Sequence, residues 1–199
     1  SGLIDSSVKP ETGKSWEIGA KYEMPGGLTG SLALFDIRKK NVLVSQFNSV
    51  TGLTEWRTSG AARSRGMELD VAGEIDSRWS TIGSLAVLDA KTTRDPEYAG
   101  NRLWNVARVT ASAGAVYNVG ELLGSDQLRV GARARYSGRR PGDSANSFWL
   151  PSFTVADLFA TYDTAIMDRK VRFQFNVKNL TDRTYYTSSV NEYGLALGD

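Results

Sequence analysis

Apolar and polar residues alternate with a period of two along much of this chain, the pattern of strands that turn one face to an apolar phase. In 127–136, Leu128, Val130, Ala132, Ala134 and Tyr136 share one face, and Gln127, Arg129, Gly131, Arg133 and Arg135 share the other. In 171–178, Val171, Phe173, Phe175 and Val177 oppose Arg172, Gln174, Asn176 and Lys178. Residues 16–24 set Trp16, Ile18, Ala20, Tyr22 and Met24 against Glu17, Gly19, Lys21 and Glu23, and 67–75 set Met67, Leu69, Val71 and Ile75 against Glu68, Asp70, Ala72 and Glu74. Weaker alternation runs through about 28–44, 79–90, 108–117 and 153–162, where small residues blur the two faces. The reading is eight strands, centred at roughly 19, 34, 69, 85, 113, 132, 158 and 174, with almost no helix.

The spacing of these centres alternates between short and long. The short connections carry turn chemistry at Pro25-Gly26-Gly27, Asp76-Ser77-Arg78 and around Gly124-Ser125-Asp126. A meander that crosses a membrane sorts its connections in this way, short turns on one side and long loops on the other. A soluble sandwich has no reason to do so. Composition alone points elsewhere. Mean hydropathy is −0.31, the net charge is +2, and no apolar run exceeds four residues. A spanning helix needs about 20 mostly apolar residues, and none is present. A barrel reconciles the two, because every second residue of a spanning strand faces a polar lumen. Aromatics near the strand ends (Trp16, Tyr117, Tyr136, Tyr162) suit interfacial girdles.

Several functions are excluded early. The chain has no His and no Cys, which removes disulfides, thiolate sites and histidine-based catalysis. Glu68 and Asp70 resemble a carboxylate dyad but share a face with other lumenal charges, so no enzyme is expected. The basic run from Arg129 to Arg140 lacks the interleaved aromatics of a nucleic-acid platform, and no nucleic-acid partner is expected. Asn179-Leu180-Thr181 fits a glycosylation sequon yet sits at a strand end. Charges on the polar face allow cross-strand pairing of Asp157 with Arg133 or Arg135 on one side and with Arg172 on the other. No signal peptide is visible at residues 1–13.

Five motifs, in order, resemble the C-terminal half of the barrel of TonB-dependent outer-membrane receptors, the ferric-siderophore branch in particular. They are Val8-Lys9-Pro10-Glu11-Thr12-Gly13 with Trp16 to Tyr22, and Ala33-Leu34-Phe35-Asp36-Ile37 with Lys40-Asn41-Val42. Arg65-Gly66-Met67-Glu68-Leu69 follows, then Tyr136 to Asp143 with Leu150 to Asp157, and lastly Asn176 to Tyr186. The resemblance implies an all-β fold: about eight antiparallel transmembrane strands of a larger, 22-stranded barrel whose plug domain is absent from these residues. It implies that residues 1–199 are the C-terminal portion of that barrel, without its final strand. Asn105-Val106-Ala107 stands where the family has "N-x-P", so that turn is expected to be looser.

The function so implied is uptake of a ferric siderophore at the bacterial outer membrane, energised by TonB through the missing plug, with lipid around the wall. Iron would be held by the chelator, with no cofactor or metal on protein side chains. The ligand would then meet long extracellular connections at 45–62, 92–106, 139–150 and 182–199. Candidate contacts are Arg102, Trp104, Arg140, Phe148, Trp149, Tyr185, Tyr186 and Tyr193, aromatic or cationic groups suited to a bulky chelate. Loop packing or interfacial anchoring is the alternative for each aromatic. A soluble or surface β-rich binding module, for example for carbohydrate, remains the alternative for the whole. It requires Trp16, Leu128, Val130, Phe173 and Phe175 to form a buried core.

Overall fold

A computed structural model describes residues 3–4, 9–48, 52–122, 124, 126–189 and 195–198. Its strands are β1 (Leu3–Ile4), β2 (Thr12–Glu23), β3 (Thr29–Asn48), β4 (Leu53–Glu74), β5 (Trp79–Arg94), β6 (Val109–Gly120) and β7 (Gln127–Ser137). After two short strands, β8 (Arg140–Pro141) and β9 (Trp149–Leu150), come β10 (Phe153–Ile166), β11 (Arg169–Val177), β12 (Tyr186–Ser189) and β13 (Leu195–Leu197). The eight long strands form one antiparallel meander in the order β11-β10-β7-β6-β5-β4-β3-β2, and β1 pairs parallel to β4. The pairs β8–β9 and β12–β13 are separate two-stranded sheets.

The register sorts the residues into two faces. Directly opposed residues point the same way, so one hydrogen-bonded row carries Ile18, Leu34, Met67, Val87 and Val109. The next carries Ala20, Leu32, Leu69, Leu85, Ala111 and Tyr136. The other face carries Glu17, Glu68, Asp70, Arg133, Asp157 and Asp163. Among the described residues the buried hydrophobic set is small: Ala90, Ala107, Leu150, Val155 and Tyr185. The apolar face is bare instead, with Trp16 60%, Phe173 53% and Phe175 66% exposed. A soluble module would have packed these side chains into a core, so that reading is overturned. The face is built for lipid.

Aromatics close both ends of the apolar band. Trp16 and Tyr136 stand at one end. At the other, Trp79 lies 4.8 Å from Tyr117 and Tyr162 lies 6.5 Å from Phe173, ring centre to ring centre. Inside, Phe159 lies across Gly131, where a Cβ would fall 2.3 Å from the ring. The expected pairing of Asp157 with Arg133 is present, Nε to Oδ2 at 2.7 Å. Arg172 does not reach Asp157. It pairs with Asp163, directly opposite in the register, and Arg129 meets the same carboxylate at 2.7 Å from the other side. The remaining oxygen of Asp157 accepts the N–H of Asn179 at 2.8 Å, which ties together two of the sequence motifs.

All four short turns lie at one end. Met167 and Asp168 both have positive φ (50° and 61°), a two-residue turn of the mirror-image class that suits strand twist. At the β4–β5 turn, Asp76 Oδ1 accepts the N–H of Arg78 at 2.8 Å and of Trp79 at 2.7 Å. Those two donors hold the Asp76 carboxyl below the usual carboxylate range. A carboxyl lowered in the folded state stabilises the turn above its unfolded pKa of about 4, and that stabilisation is lost as pH falls through the lowered value. Hydrogen-exchange protection of the Arg78 and Trp79 amides is therefore expected to hold at neutral pH and to drop in strong acid. Asp76→Asn should remove that pH dependence; its persistence in the variant would assign it elsewhere.

The other end departs from expectation in one place. Residues 45–62, expected to be a loop, are largely strand. β3 and β4 are 20 and 22 residues long and pair as far as Asn48 and Leu53. About 9–11 tilted residues cross a bilayer, so this hairpin stands well clear of the apolar band. Register shifts near Lys40, Val42 and Val44 interrupt the alternation there.

Candidate functional site

The connections after β5, β7 and β11 meet at the end opposite the short turns, where polar side chains hold them to one another. Asn105 has a left-handed backbone (φ 60°), and its N–H donates to Pro141 O at 3.0 Å. Its amide pairs with the backbone of Ser189: Nδ2 donates to the carbonyl at 2.9 Å, and Oδ1 accepts the N–H at 3.1 Å. Ser189 Oγ accepts from Trp104 Nε1 at 2.9 Å and donates to Gly142 O at 2.6 Å. The turn expected to be loose without proline is thus tightly held, because an asparagine in the left-handed region can bond on both edges.

A second clasp joins 101–102 to 143–147. Asn101 Nδ2 donates to the carbonyls of Ser144 and Ala145 at 3.0 Å each, and Asn146 exchanges hydrogen bonds with the Arg102 backbone, both at 3.0 Å. Asp143 anchors the loop by accepting the N–H of Ser147 at 2.8 Å. At the end of β11, Asn179 (φ 49°) exchanges bonds with the Arg183 backbone at 2.9 and 3.1 Å. Its place in the sequon is that of a turn-former.

The expected ligand contacts divide by burial. Arg140 is 3% exposed and Tyr185 5%. The Arg140 guanidinium donates to the carbonyls of Tyr186 and Thr187 and lies 5.5 Å over Phe153, whose ring is 4.4 Å from Tyr185. Burial pushes the Arg140 pKa down, though arginine keeps its charge. Both residues therefore fix the loop framework in this conformation. Trp104 does likewise through Ser189. Arg102 turns to Asp89, Nη1 to Oδ1 at 3.4 Å, on the wall's apolar-band side. Phe148 lies over Gly142, where a Cβ would fall 1.9 Å from the ring. Trp149 is open to solvent, with the Arg139 guanidinium 4.7 Å over its ring, and Tyr186 is half-buried. Tyr193 lies outside the described residues. The sequence reading missed Arg139, Asn105, Asn146 and Ser189. Two of them offered a signal: Arg139 lies within the Tyr136-to-Asp143 motif, and Asn105 opens the segment that departs from the family's turn.

An apolar outer face, a charged inner face, short turns at one end and clasped loops at the other define a wall of an outer-membrane β-barrel. The chain belongs to the TonB-dependent receptor family: residues 2–180 match its TonB dependent receptor-like β-barrel domain. It is 39% identical over 202 residues to the metal-pseudopaline receptor CntO of Pseudomonas aeruginosa, covering 99% of this chain and 27% of that protein. With the ferrichrome outer membrane transporter/phage receptor of Escherichia coli it shares 35% identity over 199 residues, 95% of this chain and 25% of that protein. Among solved structures it superposes on the siderophore receptor PiuA of Acinetobacter baumannii with a TM-score of 0.82 and 27% identity, covering 100% of this chain and 28% of that one. The chain thus spans about a quarter of the length of these relatives. Family membership places this stretch of barrel wall in the outer membrane.

Proposed function

We propose that residues 1–199 form the C-terminal part of the barrel wall, with its outer loops, of a receptor that takes up a ferric siderophore, energised through TonB by way of a plug outside these residues. The observation that carries this reading is the clasped loop set above a transmembrane wall, in a chain whose relatives are named for chelate receptors. Clasped loops hold a preformed surface, which lowers the ordering cost of binding. Trp149 with Arg139 is the contact that surface offers a flat, anionic or aromatic chelate, and the half-buried Phe148 and Tyr186 stand on the same clasped loops. Iron enters with its chelator, so this surface has to recognise the chelate rather than ligate the metal.

The test is siderophore binding to the intact receptor, followed by ligand quenching of intrinsic fluorescence across a panel of ferric siderophores. Arg139→Ala/Trp149→Ala is expected to weaken the recognised chelate by about 5–30-fold, the equivalent of about 1–2 kcal/mol for a partly desolvated cation–aromatic contact. Unchanged affinity in the double variant would remove this pair from the site. Failure of the wild-type receptor to bind or import any ferric chelate would sink the function itself.

A further inference from the structure

Among the described residues Arg140 is the one buried cation, and no carboxylate faces it. The rest of the molecule keeps a different rule. Arg129, Arg133 and Arg172 meet carboxylates although their side chains are at least 40% exposed. The buried carboxylates Asp36 and Asp157 each bind an arginine. A charge taken out of water is costly unless an opposite charge compensates it, so buried cations are normally paired. Arg140 has only dipoles around it. Its Nη2 donates to the carbonyls of Tyr186 and Thr187, the second at 2.8 Å, and its Nη1 lies 3.4 Å from Ser137 Oγ. The Phe153 ring beneath adds a weaker, quadrupolar attraction.

What buries Arg140 is β12, and β12 is lightly attached. It pairs with β13 alone and shares no ladder with the barrel wall. Besides Arg140, it is held by the Ser189 clasp to Trp104, Asn105 and Gly142 and by the Tyr185 ring on Phe153. Phe153 lies on the lumenal face with Val155 and Asp157, and Val155, opposite Arg135, is 1% exposed. β12 and the residues leading into it therefore cap the lumen mouth beside β7 and β10. Lifting β12 would bare a guanidinium standing over an aromatic ring.

We propose that Arg140 is a concealed anion site with β12 as its cover: a carboxylate, or another anionic group able to take two guanidinium N–H donors, displaces the Tyr186 and Thr187 carbonyls and frees β12. The exchange is favourable because an opposite charge replaces dipoles, and a guanidinium–carboxylate pair makes two parallel hydrogen bonds. Opening breaks the Ser189 clasp, so the site stays shut until an anion binds the open form. That a ferric chelate brings the anion rests on the uptake reading above; the anion site itself does not.

The experiment follows hydrogen exchange of the 185–189 amides in the intact receptor, held in a nonionic detergent. Malonate, a small dicarboxylate, is the free-anion probe, ferric citrate is the anionic chelate, and sodium chloride at equal ionic strength is the reference. Malonate and ferric citrate are each expected to speed exchange at 185–189 severalfold over chloride. Arg140→Lys should retain the response and Arg140→Gln should lose it. Asn105→Gly keeps the left-handed φ of 60° but drops the amide bonds to Ser189, which loosens the cover. Its half-saturating malonate concentration should fall severalfold, because apparent affinity rises with the fraction of molecules already open. Malonate acting no more than chloride overturns the proposal, as does a full response in Arg140→Gln. Unchanged or weaker malonate affinity in folded Asn105→Gly overturns it too. If malonate acts and no ferric chelate binds, the anion site stands and the uptake reading fails.

Discussion

Leu69→Arg lowers the stability of the membrane-embedded receptor by about 2–4 kcal/mol, whereas Glu68→Arg, one residue earlier, changes it by less than about 1 kcal/mol. Leu69 sits between Leu32 and Leu85 in the middle of the apolar rows, where a guanidinium would have to enter hydrocarbon. Glu68 points to the opposite face, between Ala33 and Ala86, where charge meets a polar lumen. The comparison isolates the face, because both variants add the same side chain to the same strand. Reversible urea unfolding in lipid vesicles, followed by tryptophan emission, measures it. Equal losses at the two positions would mean that the wall does not separate lipid from lumen as the register says.

Gly73→Val is expected to be comparably damaging, for a backbone reason. Gly73 has φ 140°, a conformation that side chains rarely adopt, and a Cβ there would fall 2.1 Å from Gly27 O and 2.8 Å from Leu28 Cα. Strain of this kind costs about 1–3 kcal/mol and overpacking against fixed backbone about as much again, so the sum is about 2–6 kcal/mol. Gly13→Val is the control, since nothing lies within 4 Å of a Cβ at that position. The same unfolding measurement reads both, and a Gly73→Val protein as stable as Gly13→Val would show that the first hairpin turn yields freely.

Much of the wall was legible because a spanning strand writes its environment into every second residue. Trp16, Ile18 and Tyr22, or Val171, Phe173 and Phe175, state which face meets lipid without reference to any neighbour. The 45–62 region was not legible, because a hairpin standing clear of the bilayer has water on both faces and no reason to alternate. The connection between the last two long strands read as short, but its turn residues, Met167 and Asp168, were not picked out, because neither glycine nor asparagine marks their positive φ. Arg172 was assigned to Asp157 rather than Asp163 because one polar face offers several carboxylates and only register chooses between them.

The division between local and tertiary information follows from what each interaction depends on. Alternation, parity of connection length and the absence of histidine and cysteine are properties of the chain order, and they sufficed to indicate an eight-strand membrane wall with no histidine chemistry. The loop clasp could not be read that way. Asn105 and Ser189 are 84 residues apart, and their pairing exists only because the meander brings three loops to one rim. A row of four cations directly opposed across β2–β5 has the same origin. Lys14, Arg38, Arg63 and Lys91 are unremarkable singly and share no motif, and it takes the hydrogen-bonded register of four strands to set them side by side. Solvation acts residue by residue and is written in the sequence; juxtaposition of distant side chains is decided by strand pairing.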